Sequence, residues 1–273
     1  MARQVQHGKS AVATMRDLHQ LLKFAKDVVR IAASRAQAAQ SSKKIRVHGV
    51  EHSGREVKLN LDNELSELLT SRLQESAIPV VSEEDPASHT LTEELVWLID
   101  PLDGSFNYLR KSGPSAISCA LLHGNQPILG VIFRLDTNEL FWGGEQVGSF
   151  CEDAPIRVSD ASRLSDSVVF TGFPTRMETH KAETMTRLTE LVVNARKVRM
   201  IGSAAVSLAH IAQGSGDIYA EEDIMPWDVA AGLAIVVGAG GCFRTINMSR
   251  NKPLRLLAGP TRVVNEIASQ YLV

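Results

Sequence analysis

Residues 95–108 read Leu-Val-Trp-Leu-Ile-Asp-Pro-Leu-Asp-Gly-Ser-Phe-Asn-Tyr, an apolar run that ends in two acids, Asp100 and Asp103. Residues 96–99 have the character of a buried strand. Pro101 fixes one backbone angle and supplies no N–H, while Gly104 permits an abrupt change of direction, so the turn should present both carboxylates together. Two carboxylates about 4 Å apart repel by about 4 kcal/mol at an effective dielectric of about 20. A hard cation such as Mg²⁺ removes that cost. A β-turn with two solvated aspartates is the alternative, and these letters alone do not separate the two.

The length of 273 residues and 44% hydrophobic content are enough for a full core, as one large domain or two modest ones. A formal net charge of −2 argues against a general nucleic-acid binder. No apolar run approaches the roughly 18 residues of a membrane helix, and the basic residues near the start precede no apolar stretch of a secretory signal. Cys119, Cys151 and Cys242 are odd in number and widely spaced, which fits a reduced, cytoplasmic protein.

Helical spacing of Leu18, Leu21, Leu22, Ala25, Val28, Val29 and Ala32 predicts an amphipathic helix over 16–40. Residues 41–56, with Lys43, Lys44, Arg46, His48, Gly49, His52, Gly54 and Arg55, read as a mobile polar connection whose basic character could suit a phosphorylated substrate. Gly49 interrupts His48 and His52 as a helical metal pair. A second helix over 60–75 should begin near Asn60 or Asp62 as a cap. A short strand at 79–81 then runs into Ser-Glu-Glu-Asp at 82–85, a second acidic cluster. Residues 116–122, 127–135 and 139–142 read as an antiparallel meander, and 155–159 as a boundary between lobes. Beyond it come strands at 168–170, 198–201 and 217–220 and helices at 181–194 and from 204. The last strand leads into Glu221, Glu222 and Asp223. Gly202 and Ser203 open the small-residue helix, whose first N–H groups could receive an anion or a hydroxyl. Asp228 lies at the start of an apolar helix that ends in glycines 238–241, where capping alone would also explain an acid.

In this order and spacing the segments resemble the inositol monophosphatase family of Mg²⁺-dependent, lithium-sensitive phosphomonoesterases. The resemblance rests on Glu83-Glu84, on Asp-Pro-Leu-Asp-Gly-Ser at 100–105, on Gly-Ser-Ala-Ala at 202–205 and on Trp-Asp-Val-Ala-Ala at 227–231. It implies a layered αβαβα sandwich of mixed α+β and α/β character. An N-terminal lobe over 1–153 would be built on an antiparallel sheet, and a C-terminal α/β lobe over 154–273 would supply Asp228 and substrate contacts.

The resemblance also implies roles. Glu83, Asp100 and the Leu102 carbonyl would hold one Mg²⁺, and Asp100 would bridge to a second completed by Asp103 and Asp228. A third ion near Glu83 is implied by the family alone. Glu83 and Ser105 would orient a water for in-line attack on phosphorus, with Asp62 assisting and no phosphoenzyme formed. Gly104 and Ser105 would offer N–H groups to phosphate. Asp103, Gly202, Ser203, Ala204, Glu221 and Asp228 would complete the substrate contacts.

Four departures stand out. Ser105 replaces the usual threonine, Ser82 replaces a glycine, Gly238 replaces a glutamate before Ala-Gly-Gly, and Leu61 removes the hydroxyl beside Asp62. The expected substrate is a small polyol or sugar phosphate such as inositol 1-phosphate. Bisphosphate nucleotides and fructose 1,6-bisphosphate are the alternatives within the superfamily, and an interaction role with transcription machinery is the non-enzymatic one. A homodimer, with neither membrane nor nucleic-acid partners, is the expected assembly.

Overall fold

The structure is a computed structural model that describes residues 15–42, 47–51, 56–90, 93–173 and 182–272. Two N-terminal helices, Met15–Ser42 (α1) and Asn60–Leu73 (α2), form the first layer. The cap of α2 is not Asn60: the Asp62 carboxylate reaches back 2.5 Å to the N–H of Leu59, the residue before the helix. Between the helices, Val47–Glu51 (β1) and Glu56–Leu59 (β2) pair antiparallel, so the expected mobile connection is in part a two-stranded sheet. Alternation at 56–59 was too short to outweigh the glycines and charges around it. His48 and Gly49 fall on β1. Lys43, Lys44, Arg46, His52, Gly54, Arg55 and the basic N-terminus lie outside the described residues.

Seven strands follow as the second layer: Val80–Ser82 (β3), Leu95–Asp103 (β4), Ala116–His123 (β5), Gln126–Arg134 (β6), Glu139–Gly144 (β7), Gly148–Cys151 (β8) and Ala154–Pro155 (β9). They are ordered β3-β4-β5-β6-β7-β8-β9, with only β3 parallel to its neighbour. The expected meander is thus present, extended by β8 and β9. The six-residue helix Ser105–Arg110 (α3) follows β4 directly.

The other sheet is mixed: Val168–Phe170 (β10), Lys197–Arg199 (β11), Ile218–Ile224 (β12), Cys242–Ile246 (β13) and Leu254–Gly259 (β14), ordered β11-β10-β12-β14-β13. The three strands β11, β10 and β12 run parallel, while β14 is antiparallel to both β12 and β13. Its helices are Ala182–Asn194 (α4), Ala204–Ala212 (α5), Pro226–Gly238 (α6) and Thr261–Tyr271 (α7).

Period-two alternation sorts the layers. Trp97 and Ile99 of β4 pack with α1 and α2, whereas Val96 and Leu98 pack with α5 and α6. The far face of α5 and α6 meets Phe170, Tyr219 and Leu256 of the mixed sheet. The opposite face of that sheet, through Val169, Ile218 and Leu257, packs on Leu191 of α4 and Val263 and Ile267 of α7. The result is the αβαβα sandwich, with α5 and α6 as its central layer.

Candidate metal centre and active site

The same alternation that sorts the core aims Asp100, two residues after Leu98, at the central helical layer. It is 3% exposed, and its Oδ1 accepts the Leu102 N–H at 2.9 Å. β3 lies parallel to β4 with Ser82 opposite Ile99, so the chain leaving β3 carries Glu83 to the same end of the sheet. From the central layer, Asp228 enters in the first turn of α6, its Oδ2 accepting the Met225 N–H at 3.1 Å. Carboxylate oxygens of Glu83, Asp100 and Asp228 all lie within 4.8 Å of one another.

Asp103 is also buried, after the irregularity in β4 between Asp100 and Asp103. Its Oδ2 accepts from Ser203 Oγ at 2.5 Å and from the Ala205 N–H at 2.7 Å, and its Oδ1 accepts from the Ala204 N–H at 3.3 Å. The anion at the start of α5 is therefore the chain's own Asp103, with Ser203 also capping the Val206 N–H.

Burial dominates the electrostatics. It pushes the Asp100 carboxyl well above the ordinary range, reinforced by the charges of Glu83, Asp103 and Asp228. Burial pushes Asp103 up to about 6, and the Ser203, Ala205 and Ala204 donors hold it from going higher. Among the described residues neither Asp100 nor Asp103 is paired with a lysine or arginine. Ser118 lies directly opposite Asp100 on β5, buried, and its Oγ has no hydrogen-bond partner among the described residues. Converging hard oxygens, an excess of buried negative charge and an orphaned hydroxyl beside Asp100 fit a divalent cation of the Mg²⁺ type.

Ser105 opens α3 just past Gly104, whose φ of +80° is the left-handed region that glycine tolerates. Ser105 Oγ lies 2.8 Å from the Leu102 carbonyl and 3.1 Å from Asp62 Oδ1. The hydroxyl missing beside Asp62 in sequence is thus supplied in space by Ser105. On β12, Glu221 Oε2 accepts from the buried Tyr219 hydroxyl at 2.6 Å, and Tyr219 in turn feels the charges of Asp228 and Asp103, so Glu221 borders the cluster. Glu222 points the opposite way, into a pair with Arg187 and Arg255.

Sequence reasoning missed Asn107, which lies in the opening segment. Its amide shares its N–H groups among the carbonyls of Ile201 at 2.7 Å, Pro114 at 2.9 Å and Gly202 at 3.2 Å, tying α3 to the entrance of α5. An asparagine in the first turn after Asp-Gly was the only local signal. His89, in the turn Pro86–Thr90, had none. A cleft of about 430 Å³ between α4 and α7, lined by Arg187, Leu191, Ile267 and Tyr271 among others, shares no residue with the carboxylates. Convergence of charge, rather than concavity, marks the site.

The fold and the acidic site together define a class, and sequence comparison gives it a name. The model of the inositol monophosphatase family matches residues 17–270, and the chain belongs to that family. It is 38% identical over 147 residues to the Nus factor SuhB of Xylella fastidiosa, covering 54% of each chain. It is 35% identical to an inositol monophosphatase of Mesembryanthemum crystallinum, over 59% of this chain and 62% of that one. These matches span less than two thirds of either relative. A solved inositol monophosphatase from Anabaena is 29% identical, with a TM-score of 0.76 over 93% of this chain and 96% of that one.

Proposed function

We propose that this chain is a cytoplasmic, homodimeric, Mg²⁺-dependent phosphomonoesterase acting on a small polyol or sugar phosphate such as inositol 1-phosphate. The observation that carries the reading is the convergence of Glu83, Asp100 and Asp228 oxygens within 4.8 Å around a buried, mutually repelling core. Glu83, Asp100 and the Leu102 carbonyl would hold one ion, and Asp100, Asp103 and Asp228 a second, with a third near Glu83. Bound there, Mg²⁺ supplies Lewis-acid polarisation of water and phosphate and neutralises the leaving oxygen.

The chain's own groups do the rest. Ser105 Oγ and Asp62 form a short relay: the Leu59 N–H fixes Asp62, and Asp62 can accept the proton that Ser105 passes from an attacking water. Glu83, on the same side, orients that water. Water adds to phosphorus as the ester oxygen leaves in line, so the products are the alcohol and inorganic phosphate. Gly104 and Ser105 offer main-chain N–H groups to phosphate oxygens. Ser203, Ala204 and Ala205 hold Asp103; Gly202, Ser203 and Ala204 would line the approach, and Glu221 would accept hydrogen bonds from substrate hydroxyls. In this reading residues 1–153 and 154–273 form two lobes with the site between them. The β8–β9 pairing carries the first sheet as far as Pro155.

A phosphatase screen with Mg²⁺ over polyol, sugar and nucleotide phosphates, with and without Li⁺, tests the assignment. Inositol 1-phosphate should rank above 3′-phosphoadenosine 5′-phosphate and fructose 1,6-bisphosphate, and Li⁺ should inhibit. The reverse ranking would move the chain to the nucleotidase or bisphosphatase branch. A second reading, an interaction role, is favoured by the relative named Nus factor SuhB. It predicts a binding activity that survives Asp100→Asn.

A further inference from the structure

We propose that His89 is a positioning residue that sets the separation of Glu83 from Asp228, and through it the cation affinity of the site; this rests on the metal-site reading above. His89 belongs to the 3-10 turn Pro86–Thr90, which follows the acidic loop after β3. Its Nε2 lies 2.7 Å from the carbonyl oxygen of Ser82, the residue before Glu83. A carbonyl oxygen only accepts, so Nε2 carries the hydrogen.

Ser82 is otherwise clasped on every side. Its N–H donates to Ser88 Oγ at 3.1 Å, and its own Oγ meets Ser66 Oγ at 2.7 Å and accepts the Glu84 N–H at 3.3 Å. His89 closes this loop, which Ser66 also ties to α2, and its ring alone among these groups reaches Trp227. The imidazole stacks on the indole of Trp227, with ring centroids 4.8 Å apart and planes at 27°. Trp227 is buried and precedes Asp228. The His89 carbonyl is itself held by Asn251 Nδ2 at 3.0 Å, from the connection between β13 and β14.

One side chain therefore touches the neighbours of two carboxylates that arrive on different layers of the sandwich. The large sheet presents Glu83 and the central helix presents Asp228. Mg²⁺ demands ligands close to about 2.1 Å in near-octahedral array, so the spacing between those layers controls whether both acids can engage. Side chains bonded to metal ligands typically change metal affinity by roughly 10- to 100-fold; His89 acts one residue further out, which places its effect at the lower end of that range.

The test separates the two contacts. His89→Phe keeps an aromatic face on Trp227 and loses the hydrogen bond; His89→Gln keeps an N–H donor and loses the ring; His89→Ala loses both. Mg²⁺ affinity is measured by calorimetric titration of the full chain, beside the Mg²⁺ dependence of kcat and KM and the melting temperature in chelator. His89→Ala should weaken Mg²⁺ roughly tenfold, with a smaller loss in each of the other two and a higher Mg²⁺ requirement for turnover. Equal Mg²⁺ affinity in wild type, His89→Phe and His89→Gln would overturn the proposal, even if His89→Ala fails to fold. Absence of Mg²⁺ binding by the wild type would overturn the metal reading itself, and this inference with it.

Discussion

Glu222 on β12 and Asp100 on β4 show opposite solutions to the same problem, a carboxylate buried inside the sandwich. Glu222 turns toward α4, where Arg187 grips it at 2.6 and 2.8 Å, Arg255 approaches to 3.2 Å and Thr184 donates at 3.1 Å. Burial alone would raise its carboxyl, yet the guanidinium groups hold it below the ordinary range. Across the central helical layer, Asp100 on β4 is pushed up by burial and by three further acids. Charge balance at Glu222 comes from the chain. At Asp100 no lysine or arginine among the described residues supplies it, so a proton or, in the proposed reading, a bound cation balances the charge.

Substitutions should split along that line. The largest effect is expected from Asp100→Asn, which removes the carboxylate common to both proposed ions. Phosphate release should fall about a thousandfold, equivalent to about 4 kcal/mol of transition-state stabilisation, while the metal-free protein melts no lower than wild type. Glu222→Gln should do the converse. Leaving Arg187 and Arg255 without their carboxylate should cost about 3 kcal/mol in a denaturant titration, whether or not Mg²⁺ is present.

The pH dependence sharpens the contrast. In metal-free protein Asp100 and Asp103 have raised values, about 6 for Asp103. Their contribution to stability is full below the unfolded-state value of about 4 and is lost as pH rises through the folded values. Tm in chelator should therefore fall as pH rises from about 4 through about 6, and saturating Mg²⁺ should flatten that fall. Glu222 has the opposite sign: its contribution is present above the unfolded-state value and is lost as pH drops. The smallest effect is expected at Gly172, where an added Cβ would lie 2.2 Å from Glu221 Oε1. Gly172→Ala should displace Glu221 and raise KM for a polyol phosphate several-fold with little change in kcat, as measured by steady-state kinetics.

Much of this was legible in the letters because the motifs are local. The Asp-Pro-Leu-Asp-Gly-Ser turn, the helix starts at Ser203 and Asp228 and the antiparallel meander depend on neighbouring residues alone. Convergence was not local. That Asp100 faces α6 follows from alternation along β4 only once both layers are known, and before that only family resemblance joined Glu83 to Asp228. The letters left Asp103 either presented to a cation with Asp100 or solvated in a turn, and its hydrogen bonds to the start of α5, 102 residues away at Ala205, were not local. The hydroxyl partner of Asp62 lies 43 residues away at Ser105. The pairing of β1 with β2 went unread for a different reason: short polar strands carry little hydrophobic signal. The segments β13, β14 and α7 went unread, although Leu254, Leu256 and Leu257 are fully enclosed by the second sheet and its helices.

The central claim, that the acids at Glu83, Asp100 and Asp228 form the cation site of a phosphomonoesterase, is met most directly by release of phosphate from inositol 1-phosphate during Mg²⁺ titration of chelator-stripped protein. The account predicts no turnover without the ion, recovery on adding Mg²⁺ and no recovery in Asp100→Asn. Turnover that persists in chelator, or that Asp100→Asn leaves intact, would contradict it.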